Sequence, residues 1–325
     1  MPYTADTEII PTGGAFSMLY LQKQIDDAYE YAKQWLGQGA PASYIPELSK
    51  ANPNHLSVCI TDLTGHTLSS GDSEVPFTIQ SIAKVIILIT AIAHRGYDAV
   101  FSKVGMEPTG DPFNSIIRLE TMQNRRPLNP MINAGAISVT ACIPGGTPEE
   151  RFGYILENAR LLTGDSALDY DRKVYHSESR TGDTNRAMAY MMRSSGVIEG
   201  NVEEHLDTYF KACSILASCR QISRIAAVLA NNGICPETGR QLVDPLSVRV
   251  VRSLMCTCGM YDESGRYAIH VGVPSKSGVG GGILGVVPGR MGIGVFCPAL
   301  DEKGNSLCGI KAMEYLSEKL ELSIF

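Results

Sequence analysis

No apolar run in this chain approaches the roughly 20 residues that a membrane-spanning helix needs; the longest is about half that. The opening Met1-Pro-Tyr-Thr-Ala-Asp6 lacks the basic-then-apolar pattern of a secretory signal, so a cytoplasmic location is expected. An excess of positive charge is missing too. Lys and Arg number 28 against 34 Asp and Glu, a formal charge of −6, which argues against nucleic acid or an anionic membrane as a partner. The six histidines are isolated, without metal-ligand spacing. Cys256-Thr-Cys258 has the wrong spacing for a zinc knuckle, and no matching Cys or His pair follows. Neither a metal site nor a cofactor is expected. The nine cysteines are an odd number, scattered and mostly within apolar runs such as those around Cys59, Cys142 and Cys297. They read as reduced core thiols rather than a disulfide framework. Internal repeats and low-complexity linkers are absent.

What is present is an ordinary soluble composition, 44% apolar and 19% charged over 325 residues, enough for one large domain or two intimate ones. Leu19, Leu21, Ile25, Ala28, Tyr31 and Trp35 return at helical spacing and predict a helix over about Phe16 to Leu36. His55 to Asp62 and His66 to Ser70, joined by Thr64-Gly65, predict a hairpin. From about Asp98 to Leu242 the pattern is helical with long loops and no strong strand signal. Thr147-Pro-Glu-Glu150 reads as a capping box opening a helix to about Leu162, closed by Gly164. Further helices are expected over Thr184 to Met192, Val202 to Ala212 and Ser218 to Asn231, the last stopped by Gly233. Pro245 opens one more, to about Met255. Tyr267 to Val273 reads as a strand, Lys276 to Pro288 as a glycine-dense turn and strand, and Met291 to Cys297 as a strand. Asn305 to Leu320 predicts an amphipathic helix with Cys308, Ile310, Met313, Leu316 and Leu320 inward. The implied fold is α+β. Residues 1–80 and 244–325 form one α/β lobe around an antiparallel sheet flanked by the terminal helices. Residues 81–243 form an inserted all-helical lobe, and the site lies at the junction.

That junction begins with Phe77-Thr-Ile-Gln-Ser81-Ile-Ala-Lys84. Residues three apart on a helix share a face, so the hydroxyl of Ser81 and the amine of Lys84 can meet. A serine is a poor nucleophile until something takes its proton, and a lysine can do so once burial lowers its pKa. The following Val85 to Ala93 is apolar all round, as in a helix buried at a protein's centre. Read blandly, Ser81 caps the helix and Lys84 snorkels to the surface.

Other stretches carry chemistry in two readings. Lys276-Ser-Gly-Val-Gly-Gly-Gly282 lacks the order of a phosphate loop and is followed by a strand. It is either a flexible hairpin or an edge whose bare backbone lies close to a ligand. A backbone N–H there, with that of Ser81, could make an oxyanion hole. Tyr261 follows a Gly-Met turn at a helix end: a half-buried phenol, or one that shuttles a proton near Lys84. Asn133 is an amide among apolar and small residues, needing a partner from a helix end or a substrate. Glu178-Ser-Arg-Thr-Gly-Asp-Thr-Asn185 reads as an irregular solvated loop capping the next helix.

Together, Tyr44-Ile-Pro, Phe77 to Lys84, Pro127-Leu-Asn-Pro-Met-Ile-Asn133-Ala-Gly-Ala, Cys258-Gly-Met-Tyr261-Asp and Lys276-Ser-Gly-Val279-Gly-Gly-Gly make a combination spread over nearly the whole chain. It resembles the serine-dependent glutaminase family, within the β-lactamase and penicillin-binding superfamily. The resemblance implies a β-lactamase/transpeptidase-like fold and hydrolysis of L-glutamine through a serine ester. It implies Ser81 as nucleophile, Lys84 as its base and Tyr261 assisting proton transfer. It implies substrate contacts from Tyr44, Asn133, Glu178, Asn185, Tyr209, Tyr261 and the backbone of Val279, and a homo-oligomer, dimer or tetramer. The long flanks and ankyrin repeats of animal relatives are missing, as in a bare catalytic core of bacterial type. Two other readings share the pocket: a penicillin-recognising acyl transferase or β-lactamase, and a catalytically silent amino-acid sensor.

Overall fold

A computed structural model describes residues 17–110, 112, 114–121 and 125–325. In chain order the strands are β1 (Ser57–Asp62), β2 (Thr67–Gly71), β3 (Phe77–Thr78), β4 (Leu216–Ala217), β5 (Ser275–Ser277), β6 (Gly282–Val287) and β7 (Met291–Phe296). The helices are α1 (Met18–Lys33), α2 (Ala83–Arg95), α3 (Tyr97–Lys103), α4 (Ile117–Thr121), α5 (Asn133–Cys142), α6 (Pro148–Thr163) and α7 (Arg172–Thr181). They continue as α8 (Asp183–Ser194), α9 (Val202–Cys213), α10 (Cys219–Ala230), α11 (Pro245–Cys258), α12 (Ser264–His270) and α13 (Leu307–Leu320). The fold is α+β, as expected.

The main sheet runs β2-β1-β7-β6-β5 and is antiparallel at every pairing. Its two faces are read off β7. Side chains alternate along a strand, so Ile293 and Val295 point one way, into the core beneath α1 and α13 with Ile25, Ala28, Met313 and Leu316. Gly292 and Gly294 point the other way. A Cβ on Gly292 would lie 2.0 Å from the backbone N of Ala227, and one on Gly294 2.4 Å from the carbonyl of Cys219. Those glycines let α10 seat its backbone directly on the strand. The far side of α10 joins the helical core, where every α2 residue from Ala83 to Ile92 is buried. Each buried Ile or Leu there contributes about 1.5–3 kcal/mol, which fixes α2 at the centre of the molecule.

Several expectations need correcting. Tyr267 to Val273 is not a strand: α12 ends at His270, and β5 starts only at Ser275. Tyr267 and Val271 are buried four residues apart while Ile269 is 83% exposed, so the spacing is helical despite the alternating look. The Glu178 to Asn185 stretch is not a loop but the junction of α7 and α8. Gly182 stands at the break, and a Cβ there would lie 2.6 Å from the Phe210 ring, so the close packing of α9 requires glycine at that position. A strand does occur within the helical stretch: Leu216–Ala217 pairs with Phe77–Thr78. Thr147 caps α6, but Glu150 accepts the N–H of Gly146 rather than of Thr147, so the box is half formed. The complete capping box is at Ser218 and Gln221, opening α10. Phe16, the expected start of α1, lies outside the described residues, and Leu19 is 86% exposed rather than inward. Ile310 is half-buried.

Candidate active site

The nucleophile's position is set by backbone constraints on both sides. Phe77 stacks on Phe296 at the end of β7, with ring centroids 4.1 Å apart and planes 4° from parallel. β3 pairs with β4, and the Ile79 N–H donates to the Ile215 carbonyl at 2.9 Å. The chain then turns sharply at Gln80, whose φ of 47° lies in the left-handed region that non-glycine residues seldom adopt. Ser81 follows in a single 3-10 turn (Gln80–Ile82), and Lys84 lies in the first turn of α2. The two are therefore not on one regular helix, as the spacing predicts, yet they meet: Lys84 Nζ is 2.5 Å from Ser81 Oγ. Lys84 is 1% exposed, and burial brings its amine down to about 8, against the opposing pull of the Glu178 carboxylate.

Tyr261 closes the other side of Ser81. Its φ of 56° is again left-handed. Its hydroxyl donates to the Ser277 carbonyl at 3.1 Å and lies against Ser81 and the Val279 N–H. Burial pushes the phenol up, with Ser81 and Val279 opposing. Lys276, fully buried on β5, donates to the Ser277 carbonyl at 2.6 Å and to that of Gly259 at 3.2 Å, with its Nζ 4.6 Å from the Tyr261 ring centroid. Burial holds that amine well below its usual range, with Lys84 adding to the effect. The glycine-dense stretch owes its composition to a close approach of two backbones. A Cβ on Gly278 would lie 2.5 Å from the Ile79 carbonyl, and one on Gly280 2.2 Å from that of Thr78. Val279, between them, is thus held alongside the turn that carries Ser81.

A small cavity of about 70 Å³ opens in front of Ser81. Tyr44, Asn133, Glu178, Asn185 and Tyr209 line it, while Lys84, Tyr261 and Val279 are reached behind Ser81. Asn133, at the start of α5, donates to Asn185 Oδ1 on α8 at 3.1 Å and accepts from the Tyr209 hydroxyl on α9 at 3.4 Å. Glu178 is buried in the last turn of α7, and burial raises its carboxyl to about 8, with Lys84 and Gln80 opposing. Its Oε2 has no hydrogen-bond partner among the described residues. Tyr44 is 54% exposed at the rim, its phenol raised by burial of the hydroxyl and by Tyr261 and Glu178.

Gln80, Asn114 and Cys213 also line the cavity and were not singled out by sequence reasoning. Gln80 sits directly before Ser81, but nothing in its type announces a left-handed backbone. Cys213 looks like any core cysteine, and Asn114 like any loop residue. Lys276 enters the sequence reading only as the first residue of the glycine-dense stretch, with no role of its own; its place under Tyr261 depends on the pairing of β5 with β6, which local pattern does not encode.

The comparisons with known proteins bear on this arrangement. A family model described as Glutaminase matches residues 39–325. A glutaminase of Clostridium botulinum is 52% identical over 296 residues, covering 91% of this chain and 97% of the relative. A solved structure of a probable glutaminase, ybaS, superposes with a TM-score of 0.91 at 37% identity, covering 95% of this chain and 99% of the other. A Bacillus subtilis glutaminase, solved as a covalent complex with 5-oxo-L-norleucine after reaction with 6-diazo-5-oxo-L-norleucine, superposes at 0.86 with 36% identity, over 94% of this chain and all of the other. The reading as a penicillin-recognising enzyme and the reading as a silent sensor give way to these likenesses. The chain belongs to the glutaminase family and is an amidohydrolase with a serine-lactamase-like fold.

Proposed function

We propose that the chain hydrolyses L-glutamine to L-glutamate and ammonia through a γ-glutamyl ester on Ser81. Ser81 Oγ attacks the side-chain amide carbon, and neutral Lys84 takes the hydroxyl proton. The oxyanion of the tetrahedral intermediate is held by the N–H groups of Ser81 and Val279. The C–N bond breaks as Tyr261 or Lys84 delivers a proton to the nitrogen, and ammonia leaves. Water then attacks the ester, giving a proton to Lys84, and glutamate departs with Ser81 restored. The observation that carries this reading is the 2.5 Å approach of a buried lysine, with its amine brought down to about 8, to a hydroxyl that faces a cavity.

The amino-acid end calls for paired charges. The unpartnered Oε2 of buried Glu178 suits the α-ammonium. Donors from Asn133, Asn185, Tyr209 and Tyr44 suit the α-carboxylate. In this reading residues 1–80 and 244–325 form one lobe and 81–243 the other, with the site at their junction. The protein works in the cytoplasm as a homo-oligomer, dimer or tetramer. Nine free cysteines, seven of them buried, fit a reducing compartment. No helix among the described residues is long and apolar enough to cross a membrane.

The test is ammonia release from L-glutamine, L-asparagine and D-glutamine by wild type and Ser81→Ala. Release from L-glutamine by the wild type, lost in a variant with unchanged circular dichroism, is expected. Full activity in Ser81→Ala would overturn the assignment of the nucleophile.

A further inference from the structure

A larger cavity, of about 360 Å³, lies on the other side of the Tyr261 turn, among α12, the start of α13 and the loop at Asp301–Asn305. That volume falls within the range of small-molecule pockets. Its floor is apolar: Met260, Tyr267 and Val271 are all buried. Its one unmatched inner polar atom, among the described residues, is an acceptor. Asn305 is fully buried and lines the cavity; its amide N–H donates to Glu263 Oε2 at 3.1 Å, while its Oδ1 has no partner among the described residues. A buried acceptor left unmatched costs stability until something donates to it. The carboxylates of Glu263 and Glu314 stand nearby, with side chains 17% and 25% exposed.

The lysines and the arginine at the mouth are already matched. Lys303 pairs with Asp262 at 2.6 Å, Arg266 with Glu263 at 3.4 Å, and Lys311 with Glu314 at 2.7 Å. Asp301 and Glu302 add negative charge there. An apolar floor, an unmatched buried acceptor and surplus carboxylate select a ligand with a donor-rich cationic head and an apolar body. An anion would meet an unmatched acceptor inside and, at the mouth, cations already held by carboxylates.

We propose that this cavity is a second small-molecule site, taking a small organic ammonium ion whose head donates to Asn305 Oδ1 and to the carboxylates of Glu263 and Glu314. It is separate from the catalytic pocket, and the proposal does not depend on the roles given to Ser81 or Glu178. Because Met260 and Glu263 flank Tyr261, an occupant touches both ends of the turn that carries the phenol.

The test is calorimetric titration of the full chain with 2-phenylethylammonium, and with uncharged 2-phenylethanol as the shape control. Saturable binding of the ammonium, at least tenfold tighter than that of the alcohol, is expected. Ile310→Trp, which fills the cavity from a half-buried wall position, should weaken it at least tenfold while leaving glutamine hydrolysis measurable, which reports the fold. Glu314→Gln removes an acceptor charge without changing packing and should weaken it several-fold. Glu178→Gln, in the catalytic pocket, should leave it unchanged. No binding to wild type at millimolar ammonium, binding equal to that of the alcohol, or binding lost in Glu178→Gln but kept in Ile310→Trp would each overturn the proposal.

Discussion

Lys84→Met should make the protein more stable at neutral pH while removing its activity. The amine is buried and held at about 8 in the folded chain, against 10.5 in the unfolded one, chiefly by desolvation. A base whose folded pKa is depressed destabilises the fold fully below the folded value. The penalty shrinks between pH 8 and 10.5 as the folded amine is already neutral, and vanishes above 10.5. At about 1.4 kcal/mol per pH unit it amounts to about 3 kcal/mol at pH 7. Methionine keeps the unbranched shape and roughly the volume, so packing is little changed. Ser81 loses its nearest partner, which costs about 1 kcal/mol. The net gain at pH 7 is about 2 kcal/mol. Without the ammonium, burial pushes Glu178 further up, so the variant's advantage falls as pH rises for that reason as well. Urea unfolding of wild type and variant at pH 7 and pH 10.5 is the assay, with ammonia release from L-glutamine alongside. A higher midpoint for the variant at pH 7, largely gone at pH 10.5, with turnover down at least about 10³-fold, is expected from losing a general base. A variant less stable at pH 7, or a difference unchanged by pH, would refute the reasoning.

Three further outcomes follow from the same geometry. kcat/KM for L-glutamine should climb with pH and level off near 8, because Lys84 accepts a proton only when neutral; a profile flat from pH 6 to 9 would separate the limb from Lys84. Glu178→Gln should raise KM for L-glutamine by about 10–200-fold, the worth of a hydrogen bond to a charged group, and an unchanged KM would place the α-ammonium elsewhere. Gly280→Ala and Gly292→Ala should differ in kind. The first pushes a methyl to within 2.2 Å of the Thr78 carbonyl, disturbing the segment that holds Val279; turnover should fall by more than its unfolding midpoint suggests. The second pushes one to within 2.0 Å of the Ala227 backbone, prying α10 off the sheet; stability should fall by about 3 kcal/mol or more, read from the urea midpoint.

The sheet and most helices were legible because their signals are local. The β1–β2 hairpin follows from alternation around Thr64-Gly65, and α2 from an apolar run that has no place but the interior. Where the reading failed, the deciding forces were tertiary. Tyr267 to Val273 alternates like a strand, yet the segment becomes α12 because Tyr267 and Val271 bury one turn apart and the Ser264 hydroxyl accepts the Met260 N–H at 3.1 Å. Leu216–Ala217 carries no strand signal and pairs only because β3 arrives beside it. Polar Glu178 to Asn185 looks solvated, but its two ends turn inward from separate helices to face Ser81 across the cavity.

The site was harder to read for a further physical reason. Two of its positions, Gln80 and Tyr261, hold left-handed backbones that their own side chains disfavour, at a cost of order 1–3 kcal/mol each. Nothing in either residue type announces this, and a substitution to glycine would relieve the strain. What keeps them in place is glycine elsewhere: Gly278 and Gly280 let the β5–β6 turn press against Ile79 and Thr78, and Gly259 brings the segment before Tyr261 within 1.8 Å, in Cβ terms, of the Ser275 carbonyl. Conformational freedom is thus spent at positions flanking the reactive ones, and strain is concentrated at the residues beside Ser81 and under its hydroxyl. A sequence pattern shows the glycines but not where the strain they permit is stored. Adding strain relief at Gln80 should therefore stabilise the fold while loosening Ser81 from Lys84: Gln80→Gly raises the urea midpoint and lowers kcat, whereas a drop in both would mean that the Gln80 side chain, not its backbone, holds the turn.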